Sequence, residues 1–172
     1  MKRSKLAQSA LFRKASRFFD HPWFFAGLGV LALVNNFTVL IPVEPLLLGA
    51  VFVQPKQWRL GTLWVALGSA LGAFALAYLL QRHASGLALH FIPHRLHSPS
   101  WAHYVTMTRR LGFFGVGLLA LAPLPQQAII VAALLVDTSP LSISLQIGLS
   151  RALKYGLFSY ITARKVRPSL LS

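Results

Sequence analysis

Few residues in this chain can do ionic chemistry, and their placement is uneven. Three acids, Asp20, Glu44 and Asp137, stand against 17 lysines and arginines. Only Glu44 lies deep in an apolar stretch. An isolated carboxylate there is costly, so it must be paired, hydrated or protonated. One role for Glu44 is coupling proton movement or gating a headgroup. The other is favouring the N-terminus of a half-helix that starts around Pro45. Arg151 and Lys154 are three apart, which puts them on one helix face. Charge inside an apolar run faces the bundle interior or a cavity, where either cation would pair with Glu44 or an anionic headgroup. The competing reading is snorkelling to a nearby interface. Gln126 and Gln127 follow a proline pair. They could satisfy freed backbone groups or bind a substrate. Asn35 and Asn36 are similar, suiting helix–helix hydrogen bonding or a substrate contact, and Asn36 is taken as a candidate binding residue.

Other chemistries find little to work with. Cysteine is absent, which removes disulfides, thiol catalysis and thiolate metal sites. His90, His94 and His97 have helix-like spacing, but Pro93 interrupts that helix and no acid is near. No metal and no cofactor are therefore expected. There is no paired-carboxylate site, no nucleophile elbow, no zinc-protease signature and no phosphate loop. An enzyme is not expected. A pI near 11.6 invites a nucleic-acid reading. The basic residues instead flank apolar runs, as topology signals and contacts for anionic lipid headgroups do.

Lipid is also the solvent the composition demands. Of 172 residues, 55% are hydrophobic and 12% charged, about half the charge of an ordinary soluble domain. Mean hydropathy is +0.60. The expected class is an all-α integral membrane protein. Residues 1–21 form a basic segment whose apolar positions recur at near-helical spacing, an amphipathic helix for an anionic leaflet. Residues 22–163 form the membrane domain. Its first block, 23–53, would be about 46 Å long as one rod, against a hydrocarbon core of ~30 Å. Pro42 and Pro45 interrupt it, so two shorter helices with a bend are expected. Residues 60–80 are one uncharged span, with Gly68 and Gly72 on a face that lets backbones approach closely. That face could also mediate a homo-oligomer. Residues 81–110 are polar and interfacial. Residues 111–136 are a second block, broken at Pro123 and Pro125. Residues 141–163 are a last span, and 164–172 a basic tail.

The two halves thus repeat one plan: an apolar block split by a proline pair, a short connector, a single span. Such paired breaks point to a transporter binding site. Broken backbone at membrane depth survives only where protein or trapped water satisfies it, so the two breaks should face each other.

Four stretches carry a family resemblance. They are Pro42-Val-Glu44-Pro45-Leu-Leu-Leu-Gly49, Gly68-Ser-Ala-Leu-Gly72 running on to Tyr78, Leu111-Gly-Phe-Phe-Gly115 leading into Pro123-Leu-Pro125, and Ser150-Arg151-Ala-Leu-Lys154-Tyr155-Gly156. Together they resemble the DedA/VTT (SNARE-associated Golgi protein-like) superfamily, in its short YqaA-like branch. The resemblance implies two re-entrant hairpins dipping in from opposite sides, each followed by a transmembrane helix. It also implies transport or scrambling of lipids. Glu44 matches the family's acidic feature in the first hairpin. The arginines expected around the second hairpin's proline are missing. Glutamines stand there, and they cannot pair bidentately with a phosphate.

Charge counts bear on topology. With hairpins, eleven basic residues lie inside and four outside; with full crossings, thirteen and two. The positive-inside rule leans to full crossing and the resemblance to hairpins, which is the expected arrangement. Both put the N- and C-termini in the cytoplasm, at a bacterial inner membrane. The expected function is moving a lipid or small amphiphile across that membrane, with proton coupling through Glu44. The alternative is a non-transporting assembly or membrane-homeostasis factor.

Overall fold

A computed structural model describes residues 21–38, 42–83, 99–111, 113–122 and 126–169. Among these residues every long element is an α-helix and there is no strand. We number the helices α1 (Pro22–Thr38), α2 (Val43–Val53), α3 (Trp58–Arg82), α4 (Pro99–Leu111), α5 (Phe113–Leu121), α6 (Gln126–Leu134) and α7 (Pro140–Ser169). A 3₁₀ turn, Pro55–Gln57, joins α2 to α3. The amphipathic segment 1–20, the three histidines at 90, 94 and 97, and both Pro123 and Pro125 lie outside the described residues.

The first block is indeed two helices, α1 and α2. The first helix ends at Thr38, and α2 begins at Val43 rather than at Pro45. Pro45 sits in the first turn of α2, where backbone N–H groups have no intrahelical partner and a missing one costs nothing. The second block is likewise split, into α5 and α6.

Side-chain contacts set the helix directions. Phe25 packs at Gly61, Gly29 at Gly68, and Asn36 at Gly72, so α1 and α3 run parallel. Leu47 also packs at Gly61, so α2 returns to the end of the bundle from which α1 set out. The Ser144 hydroxyl donates to the Ala70 carbonyl at 2.8 Å. Gly148 lies against Ala70, and Gly156 against Thr62. Hence α3 and α7 are antiparallel. Along α7, Gly117 of α5 lies between Gln146 and Ser150, and Gln126 meets Arg151. So α5 runs beside α7 in the same direction and α6 returns. The second half repeats the first, upside down.

Two cores form, and each draws residues from both halves of the chain. Phe25, Leu28, Leu47, Val51 and Val65 fill one end. Leu76, Leu80, Val116, Ile130, Ile143 and Ile147 fill the other. The close approach of α1 and α3 depends on glycine. A Cβ on Gly68 would collide with the Gly29 carbonyl oxygen, and one on Gly29 would lie 2.7 Å from the Trp64 carbonyl oxygen.

Two boundaries differ from expectation. The segment at 81–110 contains an ordered helix, α4, whose last turn carries Arg109 and Arg110. The last helix does not stop at 163 but runs to Ser169. Arg164 and Lys165 lie in this extension, toward the C-terminal end where cations complement the exposed carbonyls. Before that helix, α6 closes with the Thr138 N–H bonded to the Ala133 carbonyl and the Asp137 N–H to Leu134. Asp137 takes the left-handed conformation this cap requires, φ 59°.

Candidate functional site

The polar residues gather between the two cores, where the breaks meet. Gln127 Nε2 donates to the carbonyls of Asn36 at 2.8 Å and Asn35 at 3.2 Å. Those carbonyls lie in the last turn of α1, where no intrahelical donor is available. A side chain just past one break thus closes the helix that ends at the other. This is the backbone-satisfying role, and Gln127 is itself buried. Asn36 contributes its carbonyl to this junction, while its side-chain amide turns back to the Ala32 carbonyl at 2.9 Å. Its Oδ1 is buried with no partner among the described residues.

Glu44 is ion-paired, with Lys154 rather than Arg151: Lys154 Nζ to Glu44 Oε2 is 2.9 Å. It also lies in the first turn of α2, so the position at a helix N-terminus and the ion pair hold together. The side chains of Lys154 and Glu44 are 15% and 33% exposed, which keeps the pair partly shielded. Arg151 turns to the second break. Its Nη2 donates to Gln126 Oε1 at 3.1 Å and its Nη1 to the Tyr155 hydroxyl at 2.8 Å. Arg151 thus brings a guanidinium from α7 to Gln126, the first residue of α6.

These groups border a cavity of about 550 Å³. Pro42, Glu44 and Pro45 come from one break, Gln126 from the other, and Arg151 and Tyr155 from α7. Two helix N-termini, those of α2 and α6, converge on it, each with donor N–H groups and a partial positive charge. Arg151 Nε and Gln126 Nε2 are buried donors with no partner among the described residues. Such donors are expensive to leave unmet, and an oxygen-bearing ligand would satisfy them. A carboxylate, a guanidinium and an aromatic ring thus line one cavity.

Sequence reasoning brought Glu44, Arg151, Lys154, Gln126, Gln127 and Asn36 to one region, and the fold places all six there. It missed Tyr155 and Ser69. Tyr155 stands four residues after Arg151, in phase with the cationic face, and that spacing was the available signal. Ser69 lines the cavity from α3; only its place beside Gly68 hinted at it. The glycines of α3 act within the chain, against Gly29 and Asn36, and do not form an outward face.

No family model, curated protein or solved structure matches this chain.

Proposed function

We propose that this protein is a DedA/VTT-like inner-membrane protein that moves a lipid or small amphiphile between leaflets, through the cavity at the facing breaks. The observation that carries the reading is the junction itself. Two inverted half-chains meet at their helix breaks, and the polar pocket there is lined by Glu44, Arg151 and Gln126, with Lys154 paired to Glu44.

The outer surface supports a lipid environment. Among the described residues one helix, Pro55–Arg82, is long and apolar enough to cross a membrane. Along α7, Leu141, Leu145, Leu149, Leu153 and Leu157 form an outward line at four-residue spacing, each more than half exposed. An exposed apolar stripe of that length marks contact with lipid or protein. The return of α2 toward the start of α1 supports a re-entrant first hairpin, with residues 54–59 on the same side as both termini. The unmet donors of Arg151 and Gln126 suit an oxygen-rich headgroup, with its apolar tails left among the outward leucines. Glu44 is the group through which a proton gradient would act. An assembly factor would need some other surface, because the Gly68–Gly72 face is already covered by α1.

The test is flux. Wild-type protein in proteoliposomes should scramble a fluorescent phospholipid well above protein-free vesicles. Arg151→Ala and Glu44→Gln should each lower the rate at least about tenfold, the scale of a lost charge-assisted hydrogen bond. Arg109→Ala should not. Flux at the protein-free level for correctly inserted wild-type protein would leave the proposal without support.

A further inference from the structure

A second polar cavity lies away from the junction, at the end of the bundle where α3 begins and α7 ends. It has a volume of about 220 Å³ and is bordered by Trp58, Arg59, Tyr160, Ala163 and Arg164. Two arginines from different helices are each laid over an aromatic ring. The Arg59 guanidinium sits 5.3 Å from the Trp58 ring centre, and that of Arg164 sits 5.3 Å from Tyr160. The two rings touch, with centres 5.5 Å apart. The aromatic pair therefore joins two helices, and each ring carries one of the two guanidinium groups that border the cavity.

Stacking fixes the guanidinium planes and leaves their N–H edges available. Neither arginine has a carboxylate partner among the described residues. Glu44 is taken by Lys154, and Asp137 lies at the far end of α7. Lys56 and Lys165, both exposed, add charge of the same sign nearby. Two unneutralised forks facing one small polar cavity match an anionic phosphodiester, which each can grip through two oxygens. The aromatic pair says where that phosphodiester comes from. Tryptophan and tyrosine favour the headgroup level of a bilayer, and Trp58 stands near the start of Pro55–Arg82, which among the described residues is long and apolar enough to cross it.

We infer that Trp58, Arg59, Tyr160 and Arg164 form a resident binding site for the headgroup of an anionic phospholipid, separate from the transport cavity. The inference rests on the membrane reading above. The bound lipid would tie the start of α3 to the end of α7 and fix the depth of the bundle.

The test is lipid retention by full-length protein purified in mild detergent and offered phosphatidylglycerol or phosphatidylcholine, read by native mass spectrometry. Wild type should retain phosphatidylglycerol in preference to phosphatidylcholine. Arg59→Gln and Arg164→Gln should each weaken that retention about fivefold, and the double variant more than either. Arg109→Gln with Arg110→Gln, exposed cations near the opposite end, should leave it unchanged. An equal loss in that control pair would mean diffuse charge attraction and would overturn the site. So would undiminished retention in the double variant, or displacement of the lipid by millimolar inorganic phosphate. Release of wild-type protein from membranes by alkaline carbonate is a separate result, which would strike the membrane reading instead.

Discussion

At the scale of single residues, the account turns on which cation meets which partner. Arg151 and Lys154 share one face of α7, so spacing could say that both point inward but not how they divide the work. The fold divides them: Lys154 to Glu44 across one break, Arg151 to Gln126 across the other. Removing one member of a shielded pair leaves the other charge unmet, which costs more than removing both. We expect Lys154→Ala and Glu44→Ala each to destabilise the protein by roughly 1–3 kcal/mol, discounted for partial exposure. The double variant should lose less than the sum. A thermal-melt cycle in detergent checks this, and strict additivity would mean the pair contributes nothing.

At the scale of elements, glycine placement decides the packing. The Gly68 position has no room for a methyl group, because the Gly29 backbone occupies it. Gly68→Ala must push α1 away from α3 and should cost several kcal/mol, at the upper end of overpacking effects. Gly49, in the middle of α2, has open space around its Cβ position. Gly49→Ala should instead stabilise by about 0.5–1 kcal/mol through helix propensity. Melting temperatures of the two variants should move in opposite directions. The sequence made the close approach legible, since Gly68 and Gly72 lie one turn apart in an apolar run. It did not reveal the partner. A four-residue spacing records that a face is small, and only the fold says that Gly29 of the same chain fills it. The helix breaks were legible for a similar reason, because proline removes a donor wherever it stands. Their edges were less so: a proline in the first turn of a helix, such as Pro45, looks the same in sequence as one that ends a helix.

At the scale of the molecule, the repeat was readable from two proline pairs and two spans, and the need to cover broken backbone led to the expectation that the breaks face each other; the inversion came only from what the family resemblance implied. The extension of α7 past residue 163 was not readable. A basic run ends an apolar pattern without ending a helix, since arginine and lysine are good helix formers. Which side each end faces is open to direct measurement, because the chain has no native cysteine. A single Ser98→Cys variant should react with an impermeant thiol reagent from the periplasmic side, as two re-entrant hairpins require. Labelling only from the cytoplasmic side would require full crossings. The junction itself is tested most directly by a cysteine pair at Asn35 and Gln126, one from each side of the shared cavity, treated with a short bis-maleimide in native membranes. The account predicts an efficient intramolecular cross-link for this pair and none for Asn35 with Leu157, which lies on the outward leucine line. Efficient linking of the control pair with none between Asn35 and Gln126 would contradict it.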